Sequence, residues 1–296
     1  MKLRIYIIKK QQLIWTAIIL AIVIIAAILL ISLKTKDTMN VINKTKSQKV
    51  DINNDGKMDT IITKIDEKTK EYSVDIIMKD GRSYSLVPDD KEIPTFGFYS
   101  DEWPMIVEAR DINSDNKPEI ILQSSDSNGP LLHVYKYEND KISRIFSGRY
   151  SIFGNIKNPV DNSDIIILGS KEKDSIKYTY YNSRFNLITP ASSLTLGREA
   201  LASFIDFVEA KDQTAFKSNV DDKYLSKVLK GTFLDSKLRE VKYTKYTIPS
   251  QCTYFVRTNI SNGNEKDIGM YLVTMNLTKF DNKSPEYTIT NISRTK

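Results

Sequence analysis

Cysteine and histidine are almost missing from this chain: its 296 residues hold one of each, Cys252 and His133. A single cysteine excludes an intrachain disulfide, and no Cys/His spacing of the kind that cages zinc can be written. Glycine and proline are scarce, at 11 and 9 residues. Neither a phosphate-cradling glycine loop nor a Gly-x-Ser-x-Gly nucleophile elbow occurs. A catalytic histidine needs a nucleophile and an orienting acid, whereas His133 sits in the alternating run Leu131 to Tyr137, which reads as a strand. The net charge of +6 is dispersed, with no long basic run in the body, and this argues against a nucleic-acid partner. Paired carboxylates for glycoside cleavage leave no local motif and stay open. The abundance of Lys, Ile and Asn reads as a low-GC bacterial coding bias.

What is present begins with an apolar run. Residues 1–12 carry Lys2, Arg4, Lys9 and Lys10 and no acid, and Leu13 to Leu33 is interrupted only by Thr16 and Ser32. At about 1.5 Å per residue that run would cross the roughly 30 Å of a bilayer core. It exceeds the roughly 7–15 residues of a signal-peptide core, and no small-x-small cleavage site follows it. The expectation is a signal-anchor: a cytoplasmic tail 1–12, a single-pass transmembrane helix 13–33 and a polar tether 34–46. A short basic tail is hard to translocate, so the rest of the chain is expected outside the cell membrane.

Two nine-residue stretches carry the chemistry. Asp51-Ile52-Asn53-Asn54-Asp55-Gly56-Lys57-Met58-Asp59 places side-chain oxygens at positions 1, 3, 5 and 9. Sixty residues later the pattern returns as Asp111-Ile112-Asn113-Ser114-Asp115-Asn116-Lys117-Pro118-Glu119. Ca²⁺ takes about 6–8 oxygens, and alternating carboxylates and amides on a tight loop can supply most of them. Gly56 and Asn116 stand where such a loop must turn, and both residue types tolerate positive φ. An apolar run follows each loop, Ile61-Ile62 and Ile120-Ile121-Leu122. An EF-hand would need Glu at position 12, where this chain has Ile62 and Leu122. A third copy aligns at Ser163-Asp164-Ile165-Ile166-Ile167-Leu168. It keeps the strand but has Ile156, Asn158 and Val160 at the first three ligand positions. Weak loop-built calcium sites also fill more readily outside the cell.

These loops and strands resemble the FG-GAP/VCBS repeat family of integrin-type β-propellers and bacterial surface proteins. The resemblance spans about residues 46–190. It implies that the loop joins two strands of one blade and holds a structural Ca²⁺. By that likeness Asp51, Asn53, Asp55 and Asp59 bind through side chains and Lys57 through its carbonyl; the second site uses Asp111, Asn113, Asp115, Glu119 and the Lys117 carbonyl. Propellers typically need 4–8 blades and this chain has room for about three, so a partial propeller over 47–190 is expected.

Near Thr195 the apolar period changes. Leu201, Phe204, Ile205 and Val208 share one helix face, and Phe216, Val220, Tyr224 and Val228 suggest a second helix ending at Gly231. Four β runs follow: Val241 to Ile248, Thr253 to Ile260, Met270 to Leu277 and Glu286 to Ile292. Helices followed by consecutive strands imply a small α+β domain with an antiparallel sheet over 195–296, weakly similar to nuclear-transport-factor or cystatin-like cone folds. The expected whole is a transmembrane helix, all-β blade-like repeats and this α+β domain. The expected function is a membrane-anchored, extracytoplasmic calcium-binding module for adhesion or envelope interaction, with an unknown protein or glycan ligand, and not an enzyme. A surface hydrolase and a structural subunit of an envelope assembly are the alternatives. Cys252 is expected buried and inert. The aromatic group Phe96, Phe98, Tyr99 and Trp103 either packs between blades or stacks on a ligand.

Overall fold

Short apolar runs joined by short turns pair antiparallel with their neighbours in the chain, so each sequence block folds as a meander. The computed structural model describes residues 46–88, 91–173, 175–209, 228–262, 265–280 and 284–295. The first block gives β1 (Lys46–Val50), β2 (Asp59–Ile65), β3 (Tyr72–Ile77) and β4 (Ser83–Ser85). The second gives β5 (Ile106–Arg110), β6 (Glu119–Asp126), β7 (Gly129–Glu138) and β8 (Lys141–Gly148). Each is a sheet whose spatial order follows the chain. The turn between β7 and β8 has Asn139 at φ 51° and Asp140 at φ 57°, the doubly left-handed turn that matches strand twist in a two-residue hairpin.

The third block gives β9 (Ile152–Lys157), β10 (Asp164–Lys171), β11 (Ile176–Asn182) and β12 (Leu187–Ile188). After the helix α1 (Arg198–Val208) come β13 (Gly231–Tyr243), β14 (Pro249–Asn262), β15 (Glu265–Phe280) and β16 (Pro285–Arg294). These two groups share one eight-stranded sheet, ordered β12-β11-β10-β9-β13-β14-β15-β16. The join is a short parallel pairing, Ser236 opposite Ile152 and Leu238 opposite Gly154.

Period-two alternation assigns each strand face to a different core. Ile120 and Leu122 of β6 pack with Ile61, Tyr72, Val74 and Ile76 of the first sheet. The intervening Ile121 packs with Phe153, Ile166 and Leu168 of the third block. The other face of that block, through Ile165 and Ile167, meets Leu201, Phe204, Ile205 and Val208 of α1. The second sheet is therefore buried on both sides, which explains the near-continuous apolar run of β6. The four helix residues expected on one face are all fully buried.

Several expectations are corrected. The sheets do not form a propeller: three meanders cannot close a ring, and the third spends its first strand on β13 instead. The C-terminal α+β region is not a separate cone, because its sheet continues into the third block, and Ser47–Lys296 forms one compact unit. Strand dominates, with α1 the only helix among the described residues. The second expected helix falls on residues 210–227, outside the described residues.

The expected tail, transmembrane helix 13–33 and most of the tether also lie outside them. Among the described residues no helix is long and apolar enough to cross a membrane. The 11 residues of α1 span roughly 16 Å, about half a bilayer core. The single-pass anchor, and the cell-membrane localisation derived from it, are therefore unsupported.

The first and second sheets are stitched by the segment around Gly97. The Tyr72 N–H donates to Gly97 O at 3.0 Å, the Phe98 N–H to Ser125 O at 2.9 Å and the Tyr99 N–H to Lys70 O at 2.7 Å. Gly97 has φ +90°, and a Cβ there would stand 2.3 Å from Ser125 O. A side chain would need both a strained backbone and a shifted strand. Gly97→Ala is expected to cost at least about 1–3 kcal/mol from the backbone alone. Equilibrium urea unfolding would measure it, and wild-type stability would show that the stitch is dispensable.

Candidate functional site

Both Asp/Asn-rich loops adopt the same conformation. Positions four and six are left-handed in each: Asn54 at φ 58° and Gly56 at φ 83°, Ser114 at φ 60° and Asn116 at φ 66°. The glycine and asparagine at position six were legible as turn residues, whereas the turn at position four was not. Equivalent hydrogen bonds recur. The position-six N–H donates to the first aspartate, Gly56 to Asp51 Oδ2 at 2.8 Å and Asn116 to Asp111 Oδ2 at 2.9 Å. The N–H groups of Lys57 and Lys117 donate to Asp55 Oδ1 and Asp115 Oδ1 at 2.8 and 2.9 Å. Asn53 and Asn113 each accept from the position-five N–H, at 3.2 and 3.0 Å, and their amides donate back to Asp55 and Asp115.

The position-nine acid closes each loop from below. Asp59 Oδ2 accepts the Ile52 N–H at 2.9 Å and Oδ1 accepts the Lys79 N–H at 2.9 Å. Glu119 Oε2 accepts the Ile112 N–H at 3.0 Å. The Asp59 and Glu119 side chains and the Ile52 and Ile112 side chains that they anchor are all buried. Glu119 differs in one respect: its Oε1 is buried and meets no hydrogen-bond partner among the described residues. Burial pushes its carboxyl up to about 7, with the Asp115 and Asp111 carboxylates acting in the same direction against the Ile112 N–H. Lys136 Nζ stands 3.2 Å from Asp115 Oδ2, a partial countercharge at that loop.

The loop carboxylates are turned onto the N–H groups of their own backbone. Among the described residues no group of three or more His, Cys, Asp and Glu side chains is gathered to hold a metal ion, which corrects the expectation of a ready metal-binding cage. The third copy is neutralised differently. Its position-nine Asp164, also buried, lies 2.9 Å from Lys157 Nζ and accepts from Asn155 Nδ2 at 3.3 Å. Lys157 Nζ also donates to Ser114 Oγ at 2.6 Å and Asn155 Nδ2 to Ile112 O at 3.0 Å, so the third block holds the second loop. These two residues escaped the sequence reading, although Lys157 stands at position two of the third copy, where the others have isoleucine.

Most of the remaining candidates are held within the fold. His133 is fully buried, with Nδ1 3.0 Å from Ser147 Oγ and Phe96 edge-on at 5.2 Å, where no substrate reaches. Trp103 Nε1 donates to Asp235 Oδ2 at 2.9 Å, and Asp235 is paired in turn with the buried Arg257. Phe96 is buried and Phe98 exposed, so packing claims the first and not the second. Cys252 is buried, its thiol pushed up to about 12 by that burial. Comparison with protein-family models, with curated proteins and with solved structures returned no match.

The role of Lys157 as the third unit's resident cation is testable. Removing it leaves a buried carboxylate whose remaining donor is an amide. Because the lysine is itself 47% exposed, Lys157→Met should cost about 1–3 kcal/mol, below the cost for a fully buried pair. Adding Asp164→Asn should recover part of the loss. Equal stabilities for all three proteins in chemical denaturation would refute the assignment.

Proposed function

We propose that this protein is a non-enzymatic β-repeat binding module of the FG-GAP/VCBS type, whose second loop, and by the same pattern the first, takes a structural Ca²⁺. The observation that carries the reading is Glu119: a buried carboxylate with one oxygen unsatisfied, at position nine of a loop that also holds Asp111 and Asp115. A buried, unpaired carboxylate oxygen is costly, and a hard cation is the partner that oxygen-rich loops accept. The oxygens such an ion would draw on are those of Asp111, Asn113, Asp115, Glu119 and the Lys117 carbonyl at the second loop, and Asp51, Asn53, Asp55, Asp59 and the Lys57 carbonyl at the first, once the carboxylates turn from their backbone N–H groups. Calcium would neutralise clustered carboxylates and lock each loop to its strand, a contribution to folding rather than to turnover.

A partner surface lies beside the first loop. A concavity of about 550 Å³ there is lined by Lys49, Lys57 and Lys79 together with Met58 and Ile77, of which the last two are exposed. Apolar contact rimmed by like charge suits a protein or glycan partner carrying acidic groups.

Titrating the full-length protein with Ca²⁺ tests the metal. Saturable heat in calorimetry and a higher melting temperature are expected at about 0.1–1 mM, the range of extracellular modules, with a weaker response to Mg²⁺. Glu119→Gln should lose the second-loop response while remaining at least as stable as wild type in calcium-free buffer, since it removes a buried charge. No calcium-dependent heat or melting shift up to about 10 mM would exclude the sites.

A further inference from the structure

The face where β5 meets β13 brings several basic side chains together. Arg110 ends β5, directly before the second loop, and stacks over the Phe153 ring at 5.5 Å. Its Nε is 3.7 Å from Glu108 Oε1, too long for a hydrogen bond. Both Nε and Nη2 are buried without a hydrogen-bond partner among the described residues. Glu108 is already engaged by Lys237 Nζ. Arg239, two residues further along β13, is exposed and sits at a register shift between Leu238 and Glu240, where a bulge re-aims a side chain. A further acid whose charge reaches Arg110, Asp164, is paired with Lys157. Arg110, Lys157, Lys237 and Arg239 thus stand around Glu108 and Asp164.

We propose that Arg110, Lys237 and Arg239 form a binding subsite for an oxyanion group, carboxylate or phosphate, on the face between β5 and β13. A planar guanidinium with two unused N–H donors matches the paired oxygens of either group. The neighbouring ammonium and the exposed Arg239 guanidinium supply the remaining charge. Electrostatic context agrees with the geometry. Burial holds Lys237 below its ordinary range, with Arg110 and Arg239 acting in the same direction against Glu108. An anion would relieve that effect. The subsite uses none of the proposed calcium side chains and does not depend on the calcium reading.

The test is a titration of the full-length protein with inorganic phosphate and, separately, with citrate. Calorimetry and thermal melting would be read in a calcium chelator against sodium chloride of matched ionic strength. Saturable binding of one or both anions is expected, the two arms telling phosphate from carboxylate recognition. Affinity should fall about tenfold or more in Arg110→Gln, the loss of charge-assisted hydrogen bonds. A smaller, measurable fall is expected in Arg239→Gln, whose exposed position leaves folding intact. No saturable response beyond chloride to either anion would overturn the proposal, and so would binding unchanged in Arg239→Gln and in a folded Arg110→Gln.

Discussion

A buried carboxylate at the end of each loop is the constraint around which the β-repeats are arranged. Asp59, Glu119 and Asp164 all lie below the surface at the start of the second strand of their unit. A charge in that position must be met by donors or by another charge. The first unit meets it with two backbone N–H groups, the second with one N–H and an oxygen left over, and the third with a lysine and an amide. In the first two the same contact fixes the N–H of Ile52 or Ile112, whose side chain enters a core. The loop, the strand and the layer beneath it are thereby held by one group.

That anchoring matters because the layers are thin and depend on register. The strands of the second sheet supply side chains alternately to the core under the first sheet and to the core over the third. A slip of one residue would exchange the two sets and place each in the wrong core. The loop anchors at one end and the Gly97 stitch at the other leave little freedom for such a slip. The eight-stranded sheet then turns its far face to α1. Tyr254 OH reaches Leu196 O at 2.9 Å and Tyr180 OH reaches Leu194 O at 2.8 Å, fixing the approach to that helix.

Local pattern revealed what local physics determines. The loop turns at position six, the apolar strands after each loop and the face of α1 were readable, because turn residues, period two and period 3.6 are short-range signals. The beginning of β13 was not. Its Asp235 and Lys237 look like exposed residues in sequence, yet one is buried against Arg257 and Trp103 and the other faces Glu108. The start of β13 was instead read as a helix end because of Gly231. The β9–β13 pairing was equally hidden, since nothing near residue 152 announces a parallel partner some eighty residues away. That single non-local contact separates the observed shared sheet from the expected partial propeller.

The same contact explains why the third copy could dispense with its loop ligands. Among the described residues β1 and β5 are edge strands, each hydrogen-bonded on one side, to β2 and β6. The loop that follows each of them is therefore the main local tie between first and second strand, and a cation bound as proposed would strengthen it. β9 is held on both sides, by β10 and by β13. With its strand paired twice, the third loop needs only to neutralise one buried carboxylate, and a single lysine does that without a diffusible ion. Loss of the oxygen pattern at Ile156, Asn158 and Val160 then follows from where the unit sits in the sheet.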